Sequence, residues 1–269
     1  MNTQTGKKVT VPGLGAMKQG DQSIVMLTAY DASFARRVDA AGVDCVLVGD
    51  SLGNVIQGRD STLPVTVDHM VYHVDAVRRG LERALLIADM PFMSYHDRPT
   101  AMQSAARLMS AGAEMVKLEG GSAVVDRVSE LVAQGIPVCG HLGLTPQHVH
   151  QLGGYRVQGR DDALARVLRE DAVALENAGA GLLVLECVPT ALAASVAERL
   201  RIPVIGIGAG PDVDGQVLVL YDVLGISSGP RPRFVRDFMS GRDSIDAALA
   251  AYAEAVRDGS FPDAEHSYA

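Results

Sequence analysis

The sequence predicts a single (β/α)8 TIM barrel spanning residues 1–269, with residues 1–22 as a peripheral N-terminal segment and a helix at the C-terminus. Three observations predict it. Eight short aliphatic runs recur along a chain of 269 residues, close to the ~250 residues typical of such barrels. The runs are rich in Val, Ile and Leu without polar alternation, as parallel strands buried on both faces require. Stretches with helical patterning separate them, and three of these end in Ala-Gly just before the next run (Gly42, Gly112 and Gly179), a helix stop followed by a strand. No Pro/Ser-rich linker and no shift in composition divides the chain, which favours one barrel over a doubly wound sheet.

The runs, in order, are IVMLTA (24–29), CVLVG (45–49), ALLIA (84–88), MVKL (115–118), PVCG (137–140), LLVLE (182–186), PVIGIG (203–208) and VLVLYDVLGI (217–226). The last mixes a strand with a turn-like helix. Between the second and third, VTVDHMVYHVDAVRRG has Thr66 as helix N-cap and Gly80 as its stop. PTAMQSAARLMSAGA opens on Pro99, which suits a first helical turn. DALARVLREDAVALENAGA and the terminal SIDAALAAYAEAVRDG are further amphipathic helices. A short helix around Leu14 and Met17 belongs to the N-terminal segment, although its glycines weigh against it.

Composition excludes several function classes. Hydrophobic residues make up 48% of the chain, which argues for a packed core and against disorder. The net charge of −8 and the lack of any long Lys/Arg block argue against nucleic acid as a partner; RPRFVR (231–236) reads as a solvated loop. Cys45, Cys139 and Cys187 sit far apart in apolar runs without metal spacing, so they read as reduced, buried thiols of a cytoplasmic protein. The N-terminal residues carry no apolar signal core, and no run approaches ~18 apolar residues, so neither a leader nor a membrane span is expected.

Catalytic groups of a barrel come from the C-terminal ends of several strands. Asp50 ends the second run, Asp89 the third, Lys117 and Glu119 the fourth, His141 the fifth and Glu186 the sixth; Asp31 lies just beyond the first. Period-two spacing places Val46, Val48 and Asp50 on one face, and does the same for Leu85, Ile87 and Asp89, for Met115, Lys117 and Glu119, and for Leu182, Val184 and Glu186. If those faces point inward, the charges meet at one mouth. Each residue also has a plain reading: a strand-end Asp as a helix cap, His141 as a packing residue, Lys117 as a counter-ion for Glu119. The joint convergence favours a site. Close like charges need a cation between them; Lys117 supplies one, and hard carboxylate oxygens select Mg²⁺ as a second. HMVYH (69–73) lacks the glutamate of a zinc-protease motif. HVH (148–150) reads as loop histidines. In GIGAGPDVDG (206–215), Pro211 stands where a dinucleotide fingerprint needs glycine.

The segments LTAYDASFA, VGDSLGNVIQGRDSTLPVT, IADMPFMSY, MVKLEGG, VCGHLGLTPQ, GGYRVQGR, LLVLECVP, IPVIGIGAG and EHSY cover nearly the whole chain from about residue 24. Together they resemble the ketopantoate hydroxymethyltransferase (3-methyl-2-oxobutanoate hydroxymethyltransferase) family of the phosphoenolpyruvate/pyruvate barrel superfamily. The resemblance implies a cytoplasmic homo-oligomer, commonly a decamer, that makes ketopantoate and tetrahydrofolate from α-ketoisovalerate and 5,10-methylenetetrahydrofolate on the route to pantothenate and coenzyme A. It implies one Mg²⁺ per subunit on Asp50 and Asp89, with Glu119 acting through water. Substrate contacts fall on Asp50, Ser51, Asp89, Lys117 and His141, and the catalytic base on Glu186. Two other readings remain at this point: a Mg²⁺-dependent lyase or mutase acting on a 2-oxo acid without folate, and a non-enzymatic metabolite-binding barrel.

Overall fold

The computed structural model describes residues 6–227, 229 and 231–269. Eight parallel strands close into a barrel in the order β1 to β8, with β8 hydrogen-bonded back to β1. They are β1 Ile24–Thr28, β2 Cys45–Val48, β3 Leu85–Asp89, β4 Met115–Glu119, β5 Val138–Gly143, β6 Leu182–Glu186, β7 Val204–Ile207 and β8 Gly215–Leu218. The helices run in chain order as α1 Val11–Gln19, α2 Ala32–Ala40, α3 Leu52–Val55, α4 Val67–Arg78, α5 Arg98–Ser110, α6 Val125–Ala133, α7 Val149–Leu152, α8 Asp162–Asn177, α9 Thr190–Arg199, α10 Leu220–Val223 and α11 Ile245–Arg257. Nearly every strand residue is buried, because the inward side chains fill the barrel and the outward ones meet the helices.

Seven strands fall where the aliphatic runs predict them. The eighth does not: β8 starts at Gly215, two residues before the aliphatic run, and the second half of that run turns into α10. The glycine is required there, since a Cβ at Gly215 would stand 2.2 Å from the Ile24 carbonyl oxygen. The helix starts follow capping chemistry. Thr66 and His69 exchange the reciprocal bonds of a capping box at α4. Asp97, Asp161 and Ser244 accept from the first turns of α5, α8 and α11. Gly42, Gly112 and Gly179 adopt φ of 84°, 113° and 98°, left-handed stops that return each helix to the barrel. The helix at α1 forms despite its glycines, capped by Thr10 and with Leu14 fully buried. Lys18 ties it to the barrel through Asp214 Oδ2 and the Ile202 and Ala197 carbonyls.

At the N-terminal end of the strands lies a charge cluster around Asp44, which is 3% exposed. Asp44 accepts from Arg83 at 2.8 Å, from Arg257 of α11 at 3.0 Å and from the Val25 amide at 3.0 Å. Both guanidiniums keep some contact with water, so they are partly rehydrated when their acid is removed. Asp44→Ala is therefore expected to cost about 2 kcal/mol, within the range for bonds to charged groups, read as a lower urea midpoint at unchanged slope. Among the described residues, no helix is long and apolar enough to cross a membrane. Cys45, Cys139 and Cys187 are free and buried.

Candidate active site

The strand register sets polar residues side by side at the C-terminal mouth. Asp89 of β3 pairs with Lys117 of β4, Glu119 with His141 of β5, and Gly143 with Glu186 of β6. Asp50 follows β2, and its backbone N–H donates to Asp89 Oδ2 at 3.0 Å. Gly49 leaves room for Ser51, because a Cβ there would stand 2.7 Å from Ser51 Oγ. Gly143 lets β5 approach Glu186: its φ is 90°, and a Cβ would come within 2.2 Å of the Glu186 carbonyl oxygen. Cys187, next to Glu186, takes a φ of 49°, strain of the sort found where a functional side chain must be aimed.

All six strand-end residues named from the sequence, together with Ser51, line one cavity of about 1200 Å³. Lys117 Nζ lies 3.0 Å from Asp89 Oδ1, 3.1 Å from His141 Nδ1 and 3.8 Å from Glu119 Oε1. His141 bridges two acids, with Nδ1 3.3 Å from Glu119 Oε1 and Nε2 3.3 Å from Glu186 Oε2. Neither the Lys117–Asp89 contact nor the His141–Glu186 contact is aligned as a hydrogen bond, so Asp89 Oδ1 and His141 Nε2 are buried without a bonded partner. Ser51 Oγ shares a 2.9 Å hydrogen bond with the Tyr30 hydroxyl. Asp31 is not part of the group; it caps α2 by accepting from Ser33 and Phe34.

Burial and the neighbouring acids determine the protonation of this floor. Burial raises Asp50 well above the usual carboxylate range, and Asp89 and Glu119 push it further. Burial also raises Asp89, against the pull of Lys117. Glu119 ends below its ordinary value, because His141, Lys117 and the Gln147 amide outweigh its burial. Burial and Lys117 act to lower His141, but Glu119 and Glu186 overcome them and raise it to about 9. The sign is that of a base with a raised folded-state pKa. Its stabilising contribution is complete below the unfolded value of ~6.5 and is lost as pH rises through about 9. Thermal stability is expected to fall across that window in the wild type, and His141→Asn is expected to flatten the fall in a pH series of melting curves.

A pair of buried carboxylates that tends to take up a proton, with one oxygen lacking a hydrogen bond, fits a cation. Asp50 and Asp89 suit a hard divalent ion such as Mg²⁺, which takes one or two carboxylates and fills its other positions with water or substrate oxygens. They do not fit a three-carboxylate cage. Among the described residues, no group of three His, Cys, Asp or Glu side chains converges on one point. Glu119 is turned away, with Oε2 accepting from the Gln147 amide at 2.9 Å and Oε1 facing His141 and Lys117.

Sequence reasoning missed Gln147, which holds the floor together. Its Nε2 donates to Asp50 Oδ2 and to the Met90 carbonyl, each at 2.9 Å, while its Oε1 accepts from Tyr95 at 2.5 Å. It lies in a short 3-10 turn after β5, outside any strand periodicity, and the segment GHLGLTPQ is its only signal. Gln147→Leu is expected to cost about 2 kcal/mol by removing the donor to the buried Met90 carbonyl and to Asp50, while Tyr95 keeps its 3.2 Å bond to the Glu119 carbonyl. By freeing Asp50 it is also expected to weaken Mg²⁺ binding ~10- to 100-fold, measured by calorimetric titration. The histidines of HMVYH take structural roles. His69 completes the α4 cap, and His73 bonds the Tyr30 carbonyl at 2.7 Å.

Comparison with known proteins bears on what this mouth does. A family model described as ketopantoate hydroxymethyltransferase matches residues 8–264. A 3-methyl-2-oxobutanoate hydroxymethyltransferase of Aromatoleum aromaticum is 58% identical over 267 residues, covering 98% of each chain. One from Xanthomonas campestris is 58% identical over 264 residues, covering 98% of this chain and 97% of its own. Among solved structures, phosphoenolpyruvate phosphomutase from Streptomyces platensis aligns with a TM-score of 0.61 at 14% identity, over 80% of this chain and 83% of that one. The 2,3-dimethylmalate lyase, a member of the PEP mutase/isocitrate lyase superfamily, aligns with a TM-score of 0.57 at 17% identity, over 79% and 81%. These structures share the barrel fold alone; the family match extends over nearly every residue that shapes the mouth, and the chain belongs to the ketopantoate hydroxymethyltransferase family.

Proposed function

We propose that the chain converts α-ketoisovalerate and 5,10-methylenetetrahydrofolate to ketopantoate and tetrahydrofolate, with one Mg²⁺ per subunit, in pantothenate and coenzyme A synthesis. The observation that carries this reading is the meeting of Asp50, Asp89, Lys117, His141 and Glu186 on one cavity floor. Asp50 and Asp89 would hold the metal, with Glu119 acting through water. When bound, the ion supplies Lewis-acid stabilisation of negative charge on the ketoacid oxygens. Ser51, oriented by Tyr30, donates to the substrate carboxylate. Lys117 stays charged, since the three acids around it outweigh its burial, and it offsets charge that develops on the keto oxygen as the enolate forms. Glu186 takes the proton from C3, and His141 orients its carboxylate from 3.3 Å away. The C3 carbanion equivalent bonds to the methylene carbon, both C–N bonds of the methylene bridge break, water supplies the hydroxyl, and the C3 proton and one proton of water end on the two folate nitrogens of tetrahydrofolate. The same reading includes a cytoplasmic homodecamer.

Incubation with α-ketoisovalerate and Mg²⁺ in D₂O tests the first half of the reaction. The C3 proton should exchange, followed by NMR, without folate present. Adding methylenetetrahydrofolate should then yield ketopantoate. Exchange without product would favour a folate-independent lyase or mutase, and no exchange would leave only a binding barrel.

A further inference from the structure

The cavity of about 1200 Å³ exceeds even the ~300–1,000 Å³ of pockets that enclose drug-sized ligands. A small ketoacid on the polar floor leaves most of it unfilled. The upper walls are aromatic. On one side Tyr155 hangs from a loop turned by Gly153 and Gly154, whose φ values are 70° and 112°. Its ring is 58% exposed, so packing does not account for it, and its hydroxyl lies within the field of Glu186, Asp50 and Glu119. On the other side stand Phe234 and Tyr268, both packed on Gly208, where a Cβ would come within 2.9 Å of Phe234 and 3.0 Å of Tyr268.

Tyr268 is the second-last residue of the chain, yet it is fixed in place. Its carbonyl accepts from the Thr190 amide at 2.9 Å and from Thr190 Oγ1 at 3.0 Å. Arg233 lies 5.9 Å over its ring and donates from Nε to the Glu265 carbonyl at 3.0 Å. Its hydroxyl faces Cys187 and lies in the field of Glu186. Tyr155 and Tyr268 thus both lie near the end of β6, by Glu186. At the rim, Arg156 adjoins Tyr155 and lines the same cavity with an exposed side chain. Asp60 and Asp222 also line it, so the rim is not uniformly basic. Of the rim guanidiniums, Arg231 faces Asp237 at 3.6 Å, and Arg59 donates to the Gln57 amide oxygen.

We infer that Tyr155, Phe234 and Tyr268 clamp the pteridine ring of the one-carbon donor and that Arg156 receives its anionic glutamate tail. The inference rests on the folate-dependent reading and names the subsite for it. A planar, polar heterocycle suits facing aromatic walls, and a guanidinium at the rim suits a carboxylate tail that stays in water. The placement also serves the chemistry. A ring held against both walls lies over Glu186, so its one-carbon unit faces the carbon that Glu186 deprotonates.

Steady-state kinetics and calorimetric titration with tetrahydrofolate test it together. Tyr155→Ala and Arg156→Ala, both on an exposed loop, should raise KM for methylenetetrahydrofolate at least ten-fold, while KM for the ketoacid changes less than three-fold. Tyr268→Leu should act in the same direction. Wild-type KM should fall as glutamates are added to the folate tail, and Arg156→Ala should lose that dependence. A folate KM within two-fold of wild type in both Tyr155→Ala and Arg156→Ala, at unchanged melting temperature, overturns the inference. If the wild type makes no ketopantoate, the folate-dependent reading fails separately. Titration then still decides the subsite: a tetrahydrofolate Kd unmoved by both substitutions removes it.

Discussion

Glu186→Gln is expected to slow exchange of the C3 proton of α-ketoisovalerate by about 10²–10⁴-fold, the usual contribution of a positioned general base, and to lower kcat by the same factor. The substitution keeps the size of the side chain and removes only its capacity to accept a proton. The cavity floor that would bind the ketoacid, Asp50, Asp89, Lys117 and Ser51, is untouched, so the ketoacid Kd should remain within about three-fold, a difference below ~1 kcal/mol. A second readout separates loss of the base from loss of the fold. Glu186 is one of two acids that raise His141 to about 9, so the His141 pKa followed by NMR should fall in the variant. Exchange within ten-fold of wild type would assign the base elsewhere. A normal exchange rate with an unmoved His141 would also dissolve the link between the two residues.

The barrel was legible because its strands are buried on both faces and so read as bare aliphatic runs. β8 was misplaced for the same reason. Its first residues, Gly215 and Gln216, carry no aliphatic signal, and their place is fixed by the backbones of β1 and β7 and by the bond from Gln216 to the Gly210 carbonyl. The site divides along the same line. Asp50, Asp89, Lys117, Glu119, His141 and Glu186 all sit at strand ends, where a barrel places its chemistry, and the structure brings all six together. Gln147, Tyr95, Tyr155 and Tyr268 come from turns, loops and the chain end. Their contacts depend on how loops fold back over the mouth, and strand periodicity says nothing about that. The reach of Gln147 from one loop to Asp50, Glu119 and Met90 is a long-range property, visible only once the strands are ordered. Of the rim arginines, Arg59 and Arg156 have no basic run around them, whereas Arg231 lies in RPRFVR, which reads as a solvated loop although Phe234 and Val235 within it are buried.

Lys117→Met is expected to destabilise the metal-free protein by about 4 kcal/mol, within the range for removing one partner of a buried charge cluster. For a chain of this size that corresponds to roughly 8–16 °C in melting temperature. Methionine fills the same space, so the loss is electrostatic rather than a cavity. What remains is Asp89, Asp50 and Glu119, each 3% exposed or less, with His141 as a cation beside Glu119. The sign with pH follows from the raised carboxyl pair. A carboxyl whose folded pKa lies above its unfolded value holds more protons when folded, so the folded state is favoured at low pH and loses ground as pH rises from ~4 through the raised value. The deficit of Lys117→Met should therefore shrink toward pH 4 and widen toward neutrality. Magnesium should act in the opposite direction to the rise in pH. An ion at 100 times its Kd adds ~2.7 kcal/mol to the folded state, and the variant, lacking its own cation, should gain more from a fixed Mg²⁺ concentration than the wild type does. Melting curves at two pH values, with and without Mg²⁺, separate the outcomes. An equal Mg²⁺ gain in both proteins would mean that Lys117 and the ion do not share the Asp50–Asp89 pair. A deficit independent of pH would mean that Lys117 matters for packing rather than for charge.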